Sequence, residues 1–369
     1  MNKNLLIVLM AVLCVVQITR SQEPQSFKLN GTIFSDLSWM QYTDQKSLSD
    51  FAGMSTLELR GRNTYRQYGT VSAQLDLFLL YGQYASAAGL ALDSMPGSFE
   101  EKAPLVLNLR ELYLALYPPL ADISIGRQII RFGRGTVLSP LDIFSTLNAT
   151  DISFKRNGRD VVNVRIPLGM LSGIDLITEL PHGQQHSSAA KFFTNLNGFD
   201  IDAVALYRHR PGDVSTGAAF KGDLYAGIYG EGVVHWRNSL RPQFEAMAGI
   251  DYSLFNRKVL LALEYSYNSA PIDPDTIPPE QITTLPRPFN RRHYLYLNAG
   301  SNINELLSVH GNLIFNIEDK AVQGILLLRY SLLQDISITP SIRGCRNDLN
   351  GIDLPNPDLV YSLRIEMAF

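Results

Sequence analysis

The feature that most constrains this chain is an alternation of period two, sustained over segments of about nine to thirteen residues. The last eleven residues show it most plainly. Leu359, Tyr361, Leu363, Ile365, Met367 and Phe369 make one apolar face, while Val360, Ser362, Arg364, Glu366 and Ala368 make a mixed, charged one. The period recurs in Val259, Leu261, Leu263, Tyr265 and Tyr267 opposite Lys258, Ala262, Glu264, Ser266 and Asn268. It recurs again in Ile336, Ile338, Pro340 and Ile342 opposite Asp335, Ser337, Thr339, Ser341 and Arg343. Side chains two apart on an extended backbone share a face, so these are amphipathic strands. A tilted strand needs about 9–11 residues to cross a bilayer, whereas ordinary strands run to about five or six. Beyond the N-terminus no window approaches the roughly 20 unbroken apolar residues of a spanning helix, which excludes a helical membrane bundle.

Composition agrees with a strand-rich chain. Only 18% of the 369 residues are charged and 46% are hydrophobic, where an average soluble domain is about 25% charged. The 17 Phe, 17 Tyr and 27 Gly are scattered, which excludes disorder and fibrous repeats. With a formal charge of −3, no long basic run and no zinc-ligand cluster, the chain carries no nucleic-acid footprint.

Residues 1–21 read as an export signal: Lys3 supplies the positive start, Leu5 to Val16 the apolar stretch, and Thr19 to Ser21 the small-residue cleavage site. The mature chain is expected to begin near Gln22 and to form one domain over 22–369. Leu13 occupies the position where a lipoprotein site around Cys14 needs a small residue. Only Cys345 then remains, so no internal disulfide framework holds an exported chain of this length. Without Lys3 and Arg20 the mature chain has 30 basic against 35 acidic residues, a formal −5.

Alternation alone does not separate a soluble sandwich from a membrane barrel, because both have one greasy and one polar face. The export signal, the strand length and aromatics near strand ends such as Tyr252, Tyr267 and Trp236 favour the barrel, since an interfacial girdle would sit there. A terminal amphipathic strand ending in Phe369 resembles the sorting signal that assembly machinery reads in Gram-negative outer-membrane proteins. Strands are predicted over 27–40, 54–65, 70–82, 103–117, 119–128, 159–167, 171–179, 188–195, 198–209, 213–221, 223–236, 240–254, 256–269, 290–301, 303–317, 321–332, 334–345 and 357–369. This is an all-β, antiparallel transmembrane barrel of eighteen strands, with sixteen the next choice. Bacterial barrels have even strand numbers, short periplasmic turns and longer outer loops. With both termini periplasmic, the long connections at 41–53, 83–102, 129–158, 270–289 and 346–356 all fall outside, provided Ile152 to Arg156 is loop and not an extra strand. A barrel of this girth is too wide for its own side chains to fill. Only about five residues precede the first strand, too few for a plug domain, so narrowing must come from a loop.

The connection 129–158 is the candidate. Arg131-Phe132-Gly133-Arg134-Gly135, followed by Leu138, Leu141, Ile143 and Phe144, mixes permissive glycines with apolar anchors that a purely solvated loop would not need. Folded inward, it would form a constriction carrying Arg127, Arg131, Arg134 and Asp142. From Arg127 to Asp160 six basic residues face three acidic ones, a local +3 that would concentrate anions in a narrow opening. Pairing with neighbouring carboxylates, or exposure to lipopolysaccharide phosphates, would cancel that effect. The period places Glu58, Arg60, Arg62, Ser72, Gln74, Asp76, Asn108, Arg110, Asp122, Ser124 and Gln128 on the lumen wall. Arg110 and Glu111 are adjacent charges that must point to opposite faces unless a bulge intervenes.

Several short stretches carry a family resemblance: Arg110-Glu111-Leu112-Tyr113-Leu114, Ile125-Gly126-Arg127-Gln128 with Arg131-Phe132-Gly133-Arg134-Gly135, Pro140-Leu141-Asp142, and Ala248-Gly249-Ile250-Asp251-Tyr252 before Leu263-Glu264-Tyr265-Ser266-Tyr267. They resemble Gram-negative outer-membrane porin-like proteins, the broad group that includes alginate-export and substrate-selective porins. Members often carry Trp-Gly where this chain has Phe132-Gly133. The resemblance implies a monomeric or trimeric diffusion channel whose partners are outer-membrane lipid, lipopolysaccharide, the barrel-assembly machinery and small polar solutes, with anion preference left open. It implies no cofactor and no metal. Two other classes stay in view. A barrel-embedded hydrolase would need a Ser or Asp beside one of His182, His186, His209, His235, His293 or His310, and no nucleophile motif accompanies them. An adhesin or envelope-anchoring barrel would use the proline-stiffened segment 270–289.

Overall fold

The computed structural model describes residues 26–42, 49–65, 67–84, 105–142, 144, 155–180, 186–209, 212–237, 241–271, 289–347, 349 and 357–369. Residues 1–21, read above as an export signal, and most of the connections around 83–102 and 270–289 lie outside them. Eighteen strands follow one another: β1 (Ser26–Gln41), β2 (Ser49–Tyr65), β3 (Gly69–Gly82), β4 (Leu105–Leu116), β5 (Asp122–Gln128), β6 (Arg159–Gly169), β7 (Ser172–Glu179), β8 (Ser187–Leu196) and β9 (Phe199–Arg208). The series continues with β10 (Asp213–Asp223), β11 (Gly227–Trp236), β12 (Gln243–Leu254), β13 (Val259–Asn268), β14 (His293–Asn302), β15 (Leu307–Asn316), β16 (Ala321–Leu333), β17 (Ile336–Arg346) and β18 (Leu359–Ala368). Each predicted segment coincides with one strand, its ends moved by a few residues. Every strand pairs antiparallel with its chain neighbours, and β1 closes the ring on β18 over ten residue pairs from Thr32↔Ala368 to Gln41↔Leu359.

Among the described residues no second sheet covers the apolar faces, which decides between sandwich and barrel. On β18, Tyr361, Leu363, Ile365 and Met367 are 37–45% exposed on the outside of the ring, while Arg364 reaches inward to Asp36. Aromatics stand on the outer surface near both ends of the strands: Trp39, Phe51, Tyr207, Trp236 and Phe244 at one end, Phe27, Phe220, Tyr252 and Phe369 at the other. An outer surface this apolar needs lipid as its solvent, with amphipathic rings at the interface.

The two ends of the ring differ. Connections after even-numbered strands are tight, as in the two-residue Asn197-Gly198 turn, where both residues take the positive φ (52° and 88°) that suits a right-twisted hairpin. Connections after odd-numbered strands include all the long ones. Both chain ends of the ring lie at the turn end. There Gly31 and Phe369 exchange backbone hydrogen bonds of 2.8 and 2.9 Å. The Phe369 ring lies so close over Gly31 that a Cβ there would stand 2.1 Å from the ring.

A side chain at position 31 would therefore push the Phe369 ring off the seam where β1 meets β18. A Gly31→Val variant is expected to refold into detergent micelles in lower yield than the parent, read as the heat-modifiable band on a gel. Phe369→Ala combined with it should restore part of the loss, because the clash disappears.

Candidate functional site

The connection after β5 turns into the ring. Ile130, Phe132, Leu141 and Phe144 pack against the inward side chains Val161, Ile177, Ala189, Val204, Leu206, Ala219 and Val233 of β6 to β11. Val137 and Leu138 pack against Tyr229, Met247, Tyr294, Tyr296 and Ile314 of β11 to β15. Phe132 and Phe144 meet edge to face, 5.5 Å apart at 82°. The protein's dry core is thus inside the barrel, between loop and wall. Leu141 is fully buried, which explains apolar residues in what would otherwise be a hydrated loop.

An irregular segment in such a place must satisfy its backbone N–H groups. Wall carboxylates do this. Glu264 of β13, fully buried, accepts from the backbone N–H of Thr136 (2.5 Å), Val137 and Leu138 (both 3.2 Å) and from the Tyr229 hydroxyl (3.0 Å). Glu231 of β11 accepts from the N–H of Arg134 at 2.6 Å and of Leu141 at 3.5 Å. Within the loop, Asp142 accepts from the N–H of Phe132 and Gly133 at 3.2 and 3.0 Å and pairs with Arg156. Gly133 has to be glycine for this fit, since a Cβ would lie 1.7 Å from Ser139 Oγ and 2.8 Å from Glu231 Oε2. These are charge-assisted bonds in a dry setting, the stronger kind.

The loop leans on one side of the ring, and water space remains on the other. A chamber of about 470 Å³ is bounded by β1 to β4, β16 to β18 and the returning loop residues Lys155 and Asn157. Four basic side chains line it, Arg110, Lys155, Arg343 and Arg364, against two acidic ones, Asp36 and Asp76. Arg364 forks onto Asp36 at 2.6 and 2.8 Å, and Arg110 lies 3.4 Å from Asp76. Lys155 pairs with Glu58, and Lys155 and Arg364 both sit over the Phe34 ring, at 4.7 and 4.3 Å. Arg343 makes no ion pair among the described residues. Burial, with the Arg364 guanidinium nearby, pulls the Lys155 ammonium from its usual 10.5 down to about 8, although Glu366 and Asp36 oppose the shift.

The structure separates the predicted constriction residues. Arg131 donates to the carbonyls of Gly133 and Gly135 and stays partly exposed. Arg134 is tied to the wall, its guanidinium 2.6 Å from Asp202. Asp142 braces the loop from within. Arg127 is a correction: it lies on the face opposite Gln128, where it grips Asp160 at 2.7 and 2.9 Å on the outer surface. Strict alternation along β5 turns it away from the opening. The local +3 is likewise largely cancelled, with Arg127, Arg134, Lys155 and Arg156 each matched to a carboxylate.

Of the lumen positions, Arg60 donates to Gln74 at 2.7 Å beside the exposed Arg62, and Glu58, Asp76, Asn108 and Arg110 face or flank the chamber. Asp122 and Gln128 line a smaller cavity of about 250 Å³ with Glu111, Ser124 and Arg165. The adjacent charges on β4 are resolved by a bulge: Gln74 pairs with Glu111 and Leu75 with Leu109, leaving Arg110 as the extra residue. Both charges thereby face the lumen. Periodicity missed Glu231, Glu264, Asp202, Arg364 and Asp36 as site residues, although all stand at inward positions. It also missed a contact beside one histidine, Ser215 Oγ to His235 Nδ1 at 2.8 Å with Glu245 3.2 Å from Nε2. Ser215 and His235 are 1% and 2% exposed, a buried contact between neighbouring strands.

Replacing Glu264 by Gln should loosen the loop's seat by about 2 kcal/mol, since hydrogen bonds to a charged group are being weakened in a buried place. In planar-bilayer recording the expected outcome is a larger and noisier single-channel conductance than the parent's. An unchanged trace would show that Glu264 does not hold the constriction.

The sequence matches no protein-family model and no curated protein. Solved structures are similar in fold. Pseudomonas aeruginosa OccK5 (OpdH) superposes with a TM-score of 0.61 at 7% identity, covering 93% of this chain and 98% of that one. Acinetobacter baumannii OccAB3 gives 0.59 at 9% identity, covering 93% and 99%. The outer membrane protein opdK from Pseudomonas aeruginosa gives 0.59 at 6%, covering 93% and 98%. At such identities the likeness establishes the fold, a closed antiparallel barrel matched over nearly its whole length.

Proposed function

We propose that the chain is an outer-membrane porin through which small polar solutes diffuse passively, narrowed by the inward-folded connection 129–158. One observation carries this reading: inside a lipid-solvated ring, a charged chamber persists beside a loop that is seated on the opposite wall. Its volume falls within the roughly 300–1,000 Å³ of small-molecule sites. The structural neighbour opdK is an outer membrane protein, which supports the same location for this chain, with both termini and the tight turns on the periplasmic side. With Glu58 counted on Lys155, four basic groups meet three acidic ones, and the excess charge of Arg343, which has no ion pair among the described residues, favours anions. On this reading no catalytic step is involved, and membrane lipid, lipopolysaccharide and the assembly machinery are partners, with the chain monomeric or trimeric.

Reconstituted protein should give discrete conductance steps, enlarged when residues 131–156 are removed. Absence of steps would overturn the channel reading. Lys155 supplies a finer check. Below about pH 7 it is charged; as pH rises through about 8 it loses its proton and the chamber loses a positive charge. Anion preference, read from the reversal potential in a salt gradient, should fall between about pH 7 and 9 in the parent. It should stay flat across that range in Lys155→Met.

A further inference from the structure

We infer that His186 and His209 form a binding site for a divalent late first-row transition metal on the outer surface of the barrel, at the end carrying the long connections. The last pair of the β8–β9 ladder is Ser187↔Arg208. The two histidines are the next residues out, joined by a backbone hydrogen bond from His209 N–H to the His186 carbonyl at 3.0 Å. Alternation puts their side chains on the face of Tyr207, away from the inward Val204 and Leu206. The imidazoles lie side by side with ring centroids 4.5 Å apart and planes only 21° from parallel, and the Tyr207 ring meets His209 edge-on at 6.5 Å. Neither histidine makes an ion pair among the described residues.

Two imidazoles held next to each other on adjacent strands supply a pair of nitrogen ligands whose backbone ordering the sheet has already provided. Imidazole nitrogens bind zinc at about 2.0–2.1 Å, so two of them on one tetrahedral ion stand about 3.3 Å apart. Stacked rings do not both aim a lone pair at one ion, so binding turns the two imidazoles out of the stack toward a common point, and their place beyond the last pair of the ladder leaves room for that turn. Imidazole suits zinc, nickel and copper, and water would fill the remaining positions at this exposed rim. A bound ion would clasp the ends of β8 and β9 without entering the lumen, so the site is independent of solute passage. Sequence spacing pairs His186 with His182, which lies outside the described residues; the ladder pairs it with His209 instead.

The test is calorimetric titration of NiCl2 into the full chain in detergent micelles at about pH 7.5. One nickel per chain is expected, with affinity lowered at least about tenfold in both His186→Gln and His209→Gln. It should be unaltered in His310→Gln, a ring that lies over Gly300 on the lumen side. Parental affinity in either pair variant, or loss in His310→Gln alone, would overturn the assignment. A second measurement needs no variant: the electron paramagnetic spectrum of one equivalent of CuCl2 should show splitting from two imidazole nitrogens, and splitting from only one would count equally against it.

Discussion

Everything inside this barrel depends on how an irregular stretch of backbone is made tolerable in a dry place. An eighteen-strand ring leaves more room than its own side chains can occupy. The loop after β5 fills part of that room, but only because carboxylates fixed on rigid strands receive its N–H groups. Glu264 takes three of them and Glu231 two. The acids gain as much as the loop does, since a buried carboxylate without donors is costly. Apolar packing then works on a segment whose polar groups are already satisfied. Leu141 and Phe144 could not be driven against Val161 and Leu206 with unpaired amides beside them.

This seat also fixes where charge is available. Basic residues in and around the loop are mostly matched one to one, so the positive excess noted in the sequence does not become a positive constriction. The chamber's character comes instead from the opposite wall, where Arg343 has no carboxylate among the described residues and Arg364 shares the Phe34 ring with Lys155 of the returning loop. An aromatic ring close to both cations offsets part of their mutual repulsion, because each is attracted to it.

The fold was legible because lipid enforces a strict rule on every strand. Where the lumen is wet, as along β2 and β3, Glu58, Arg60 and Arg62 alternate cleanly with apolar neighbours and both count and facing could be read. Where the loop sits, the inward face is apolar as well. On β9, Val204 and Leu206 face in while Ala205 and Tyr207 face out, and the period blurs. That blur was itself a signal: apolar residues on both faces of β6 to β11 mark the wall that something dry must cover. The inward direction of the loop was readable from its own apolar anchors. Its carboxylate partners were not, because they lie about 90 to 130 residues away in sequence and no local pattern joins Thr136 to Glu264. Arg127 stands next to the loop in sequence but is still inside β5, so strand parity, and not the inward course of the loop, sets its direction.

The bulge at Arg110 shows the same rule acting on a conflict within one strand. Adjacent charges on an unbroken β4 would put Arg110 or Glu111 into lipid, at a cost of up to about 2–4 kcal/mol for a basic residue at mid-depth. An extra residue shifts the phase of the strand once, so that Asn108 and Arg110 face inward before the shift and Glu111 and Tyr113 after it. The ladder loses one pairing and keeps both charges out of lipid. The shift also divides the lumen wall, with Arg110 beside Asp76 on the chamber and Glu111 on the smaller cavity with Asp122 and Arg165. A local repair demanded by the membrane thus sets which cavity each charge serves.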